Sequence, residues 1–235
     1  MTIAERIARL DWPALAEEMD AVGFAQTPAV LTAAECRALA ASFDEDARFR
    51  STVDMRRHHF GEGEYRYFGA PLPGPVDDAR HALYPPLAAI ARRWGALLGE
   101  DAGYPDDLDG FLRRCRRAGQ TRTTPLLLRY AAGGHNTLHQ DLYGDVAFPL
   151  QAVTALSEPG ADFEGGQFVL VEQRPRAQSR AHVIDLQRGA FLLFPTRHRP
   201  VRGSRGHYRV AMRHGVATVR SGRRVTLGVI FHDAR

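Results

Sequence analysis

The stretch Arg129-Tyr130-Ala131-Ala132-Gly133-Gly134-His135-Asn136-Thr137-Leu138-His139-Gln140-Asp141 decides how the chain is read. It ends in a His-x-Asp triplet. Residues i and i+2 of a strand point to the same face, so His139 and Asp141 would project an imidazole and a carboxylate into one space. These are two of the three ligands of a two-histidine, one-carboxylate facial set, which suits non-haem Fe(II). Such triplets also arise by chance. The rest of the chain must supply a third ligand and an anchor for a co-substrate.

Downstream of the triplet the texture is β. From Leu126 on, short apolar runs alternate with Gly, Pro or polar turns: Leu126–Tyr130, Leu150–Ser157, Gln167–Glu172, Ala181–Leu186, Ala190–Pro195, Tyr208–His214 and Val225–Phe231. Many short strands at such spacing indicate a sandwich or barrel. Upstream, residues 1–120 read as mainly helical. Residues 2–22 form one or two amphipathic helices broken near Trp12-Pro13. Thr32-Ala33-Ala34-Glu35 is a capping box opening a helix to about Phe43. Pro71 to Pro75 reads as a loop, Leu87 to Leu98 has helical spacing, and a last helix spans about Asp107 to Arg117, its basic end suiting the helix dipole. Neither a repeat nor a flexible linker is apparent. The expectation is an α+β single domain over 1–235, with N-terminal helices buttressing a β core at 121–235.

Strand parity selects the remaining site residues. Tyr208, Val210, Met212 and His214 share one face, which makes His214 a candidate third ligand. Ten positions later comes Arg224. Arg224, Thr226, Gly228 and Ile230 face one way, and Val225, Leu227, Val229 and Phe231 the other. One face thus offers a guanidinium, a hydroxyl and a gap, fit for a carboxylate through a charge-assisted bidentate contact. Arg223 lies on the opposite face, and a one-residue slip would exchange the two arginines. His198 competes with His214, but its Arg209 falls eleven places on and no Thr-bearing strand follows. His232 and Asp233 read as structural or outer-shell, and His58-His59 as exposed. Tyr130 is either a core tyrosine with a satisfied hydroxyl or a co-substrate contact.

This combination resembles the Fe(II)- and 2-oxoglutarate-dependent oxygenases, whose signature is His-x-Asp, a long gap, then His followed ten residues later by Arg and a Ser or Thr. His139, Asp141, His214, Arg224 and Thr226 match it one by one. Tyr130 matches the aromatic before the first ligand in prolyl-hydroxylase-like members, and Gly165-Gly166-Gln167-Phe168 matches the hairpin between the ligands. The resemblance spans residues 126–232, and Gly23 to Leu39 resembles the family's N-terminal entry. Thr137 to Gly144 and Leu227 to Ala234 are similar to a bacterial subfamily proposed to demethylate damaged nucleic acid. Ile230 departs from the AlkB-type demethylases, which carry a second arginine there. The resemblance implies a double-stranded β-helix (jelly roll), with Fe(II) on His139, Asp141 and His214. It also implies 2-oxoglutarate anchored by Arg224 with Thr226 and Tyr130, and O2 as the second co-substrate.

Composition bounds the alternatives. The chain has 235 residues, 44% of them hydrophobic, enough for a real core;. No apolar run reaches membrane-span length, and the start lacks a secretory h-region, so a cytoplasmic protein is expected. Cys36 and Cys115 read as buried free thiols. All 31 basic residues are arginine, and the net charge of +4 permits nucleic acid as a partner without requiring it;. Residues 49–68 interleave cations and aromatics, and fit either a single-strand-binding surface or a hairpin with a solvated face. Two other functions stay open: a zinc hydrolase using the same triad, and a non-catalytic jelly-roll binding module. Within the oxygenase reading, the substrate is damaged nucleic acid, a protein side chain or a small molecule.

Overall fold

The computed structural model describes residues 1–100 and 103–235. Its helices begin where the sequence offers caps. Thr2 caps α1 (Ile3–Ala8) in a reciprocal capping box with Glu5;. Asp11 caps α2 (Trp12–Val22), which takes Pro13 into its first turn and stops at Gly23 in the left-handed region. The break expected at Trp12-Pro13 therefore falls just ahead of that pair, because proline fits a first turn where its missing N–H has no partner to lose. After β1 (Ala25–Ala29), the Thr32–Glu35 capping box opens α3 (Ala33–Ala41).

Three strands follow, β2 (Phe49–Asp54), β3 (Gly61–Glu62) and β4 (Glu64–Phe68). Then comes α4 (Gly74–Leu97), with Pro75 in its first turn and Pro85 and Pro86 inside it. The loop expected at Pro71–Pro75 is thus partly helix, and the helix starts well before Leu87. Its buried face, including Val76, Leu83, Leu87, Ile90 and Trp94, packs into the main core and outweighs the backbone bonds that the prolines cannot make;. Helix α5 (Leu108–Arg117), capped by Asp107, matches its expected span.

The second half supplies β5 (Leu126–Ala131), β6 (His135–His139), β7 (Leu150–Ala155), β8 (Phe163–Gly165), β9 (Phe168–Gln173), β10 (Arg180–Ile184), β11 (Ala190–Pro195), β12 (His198–Gly203), β13 (Gly206–Val216) and β14 (Val219–Val229). Two of these exceed their sequence signal. Strand β12, charged and holding Pro200, reads as a turn, yet it pairs with β13 alone, an edge position where proline is tolerated;. Strand β14 starts six residues before Val225, at the buried Val219, and takes in the exposed, mostly polar residues 220–223.

The strands pair antiparallel in two sheets. The larger runs β1-β11-β7-β14-β5-β4-β2, with β8 also on β14; the smaller runs β10-β9-β13-β6-β3, with β12 also on β13. The larger sheet therefore recruits β1, β2 and β4 from the N-terminal region. Strands β7 and β11 are buried at every position. On one side of the larger sheet, Leu150, Phe191, Leu227 and Val229 pack with α4. On the other, Val153, Leu192 and Phe194 meet Leu170, Val210 and Met212 of the smaller sheet. This is the expected jelly roll with helices buttressing one face. None of the described helices is long and apolar enough to cross a membrane.

Candidate active site

The two candidate histidines sit on neighbouring strands of the smaller sheet. His139 ends β6, and His214 of β13 is its cross-strand partner. Directly opposed residues bring their side chains together, and the two ring centroids are 4.2 Å apart. The strand ends at His139. Gln140 ties the next stretch to the sheet by donating its side-chain amide to the carbonyls of Met212 at 2.8 Å and Arg197 at 3.2 Å. Asp141, just past the strand end, comes close to both histidines. Its Oδ2 lies 3.1 Å from His214 Nε2, and its Oδ1 lies 3.7 Å from His139 Nε2. One ligand atom from each residue falls within 4.8 Å of the others.

Neighbouring groups fix this arrangement. His139 Nδ1–H donates to the Thr137 carbonyl at 2.7 Å, which leaves Nε2 as the free donor;. The His214 ring lies between Phe168 and Phe194, with centroid separations of 5.6 and 5.0 Å. The Tyr143 hydroxyl donates to Asp141 Oδ1 at 2.6 Å. Burial resists ionisation of Asp141, but His214, His139 and that hydroxyl overcome it and hold the carboxyl well below its usual range;. Burial, aided by His214, pushes the His139 imidazole down. The ionised Asp141 and an imidazole kept from protonation at His139 are the states a metal ligand needs;. Two nitrogens and an oxygen without a thiolate fit a ferrous ion.

Arg224 lies in the same cavity. It is 2% exposed. Its Nη1 reaches Thr226 Oγ1 at 3.5 Å and its Cζ lies 5.4 Å from the Tyr130 ring centre. Its Nη2 has no hydrogen-bond partner, and it forms no ion pair among the described residues. Burial lowers its pKa to about 10, against the pull of Tyr130. The backbone makes room for it: Gly166 has φ +63°, and a Cβ there would lie 2.8 Å from Arg224 Cδ;. Parity is as the sequence implied. Arg224, Thr226, Gly228 and Ile230 all line the cavity, while Arg223 is exposed. A buried guanidinium without a counter-ion is costly, and a carboxylate of a ligand is the natural partner.

The cavity is about 210 Å³, with Tyr65, Tyr67, Leu126 and Leu128 among its walls and Phe60 at its exposed rim. Tyr130 is fully buried and its hydroxyl accepts from Asn136 Nδ2 at 3.4 Å. His198 lines a separate groove. His232 is buried, accepts from the Phe148 N–H at 3.2 Å, and is lowered to about 4 by burial. Two lining residues, Tyr143 and Gln151, were not legible as site members. Tyr143 stands in a coil, inside the Thr137–Gly144 stretch that carries the subfamily likeness but with no spacing that assigns it a role, whereas Gln151 shows one faint signal, a glutamine inside the apolar run Leu150–Ala155.

The basic, aromatic segment at 49–68 is largely satisfied within the protein. Arg66 pairs with Asp46 at 2.6 Å and Glu64 at 2.7 Å and stacks over Phe43. Arg56 pairs with Glu62 and Arg57 with Asp54. Phe49 stacks on Phe68. The hairpin reading describes this segment; Phe60 stands exposed at the cavity's rim, stacked on His58.

A family model for an oxygenase described as catalysing oxidative methylation of damaged DNA matches residues 63–234. The chain belongs to this oxygenase family. An uncharacterised protein of Mycobacterium tuberculosis is 53% identical over 167 residues, covering 71% of this chain and 72% of that one. Among solved structures, a Pseudomonas putida prolyl-4-hydroxylase superposes with a TM-score of 0.57 at 18% identity, covering 95% of this chain and 99% of its own. A Trichoplax adhaerens prolyl hydroxylase, solved with a peptide fragment of hypoxia inducible factor, gives 0.55 at 16% identity, covering 97% and 91%. At such identities the likeness speaks for the fold. Family membership makes the protein an oxygenase.

Proposed function

We propose that this oxygenase is Fe(II)- and 2-oxoglutarate-dependent and removes methyl groups oxidatively from damaged nucleic-acid bases. One observation carries the co-substrate: the unpaired, buried Arg224 guanidinium shares a cavity with the His139, Asp141 and His214 triad. A zinc hydrolase would have no use for that charge at that place, and a non-catalytic module that grips an anion would have no use for the triad beside it. His139, Asp141 and His214 would hold the metal. Arg224 and Thr226 would hold the far carboxylate of the diacid, with Tyr130 in the wall beside them, while the Tyr143 hydroxyl donates to Asp141 and orients it. The apolar and aromatic walls keep water from the reacting centre. When bound, the metal and 2-oxoglutarate supply O2 activation, with succinate and carbon dioxide as by-products.

The nucleic-acid substrate is supported by the family's description. An oxygenase has no methyl donor, so transfer of a methyl onto DNA does not balance. Hydroxylation of an N-methyl carbon does, since the hemiaminal formed breaks its C–N bond and releases formaldehyde. The test is a turnover screen of methylated DNA and RNA oligonucleotides against peptide and amino-acid pools. Equimolar succinate and formaldehyde with a methylated oligonucleotide is expected. Turnover confined to peptides or small molecules would move the protein to hydroxylation of those substrates.

A further inference from the structure

We propose that Gln151 is the second anchor of the co-substrate, its side-chain amide donating to the carboxylate at the metal end of the diacid. This rests on the co-substrate reading above. Gln151 is 2% exposed and lines the same cavity as the triad and Arg224. Its Nε2 has no hydrogen-bond partner. Burying an amide donor without an acceptor is unfavourable, and the rest of the inward face of β7, Val153 and Ala155, is apolar.

The ladder places this amide. Strand β7 pairs with β14 from Thr226↔Ala155 to Val229↔Ala152, so Gln151 falls opposite Ile230. On its other side Gln151 pairs with Phe194, whose ring packs against His214. Gln151 therefore belongs to the triad's side of the cavity, whereas Arg224 stands six positions before Ile230 on β14. Ile230 itself offers no donor. The floor of the cavity thus has two anion-compatible groups, one beyond the triad's reach and one beside it. Phe60, 46% exposed, marks the rim where a bulky substrate enters. A buried residue such as Gln151 is better placed for a small co-substrate than for a bulky substrate. A neutral amide also suits this position, because it satisfies a carboxylate without adding positive charge next to a cation.

The test measures equilibrium binding, not turnover. The full-length protein is loaded with Mn(II), and 2-oxoglutarate affinity is read by calorimetry for wild type, Gln151→Leu and Gln151→Glu. A second ligand, 4-oxopentanoate, keeps the ketone and the far carboxylate and lacks the metal-end carboxylate; its binding is read from Mn(II)-induced NMR line broadening. Gln151→Leu is expected to weaken 2-oxoglutarate about tenfold and to leave 4-oxopentanoate unchanged. Gln151→Glu should weaken 2-oxoglutarate further, by about a hundredfold, with the penalty shrinking as pH falls. If Gln151→Leu does not fold, Gln151→Asn, with the same amide on a shorter stem, is expected to show the same selective loss. Equal weakening of both ligands, or 2-oxoglutarate affinity equal to wild type, would overturn the role of Gln151. A wild-type protein that binds neither ligand would instead remove the co-substrate reading on which it stands.

Discussion

Two arginines are buried to the same degree, each 2% exposed, and their surroundings differ completely. Arg80, on α4, donates to the carbonyls of Ile230 at 3.0 Å and Phe231 at 2.9 Å and pairs with Asp233 at 2.8 Å. Arg224, on β14, finds one long contact to Thr226 and no carboxylate. Arg199, paired with Glu172 at 2.7 Å, falls in with Arg80. The fold thus satisfies buried arginines when their task is to join elements. Arg80 clasps a helix to the end of the strand on which Arg224 waits. A guanidinium left unsatisfied in a cavity marks a ligand, because a purely structural role would leave a cost that nothing offsets.

The contrast can be broken in four ways, taken from the largest effect down. Arg80→Met leaves Asp233 and two carbonyls buried without their donor. It is expected to lower unfolding stability by about 3–5 kcal/mol, read by thermal or denaturant unfolding, and to leave 2-oxoglutarate affinity of the folded fraction intact. Arg224→Met should do the reverse. Stability holds or rises, since an uncompensated charge is removed, while 2-oxoglutarate affinity falls about a hundredfold. As a third check, 2-oxoglutarate at a hundred times its Kd should stabilise the wild type and Arg80→Met by about 2.7 kcal/mol, and Arg224→Met hardly at all. The smallest effect belongs to Arg56→Ser with Arg57→Ser. Both side chains are exposed and already paired with Glu62 and Asp54, so oligonucleotide affinity should change by about twofold at most. A clear fall in its salt dependence would restore residues 49–68 as a nucleic-acid surface.

The same contrast explains what could be read from the sequence. The pairing of His139 with Asp141, and the run from His214 to Arg224 and Thr226, were legible because they obey short spacings. His139 and Asp141 are two apart, and strand parity sorts Arg224 from Arg223 without any tertiary knowledge. The jelly roll followed from strand spacing. The Arg80–Asp233 clasp joins residues more than 150 apart, and no local pattern announces it. His232 and Asp233 were read as a structural pair. Their tasks, accepting from Phe148 and holding Arg80, emerged only in three dimensions. Gln151 is legible in hindsight as a polar interruption of an apolar strand, but its meaning depends on lying opposite Ile230. The ion pairs of the 49–68 arginines, with Asp54, Glu62 and Glu64 inside the segment and Asp46 outside it, are set by the folded hairpin and not by any spacing in the sequence. Local rules found His139, Asp141, His214 and Arg224; the groups that support them come from strands and helices that the chain order keeps apart.

The most direct test is an oxygen-free titration of the iron-loaded protein with 2-oxoglutarate, followed in the visible spectrum. The account predicts a metal-to-ligand charge-transfer band that saturates at one equivalent in the wild type. In Arg224→Met the protein should still take up iron but need far more 2-oxoglutarate to develop that band. No band in the wild type, or an identical titration in the two proteins, would contradict the claim that Arg224 is buried to hold this diacid beside the metal.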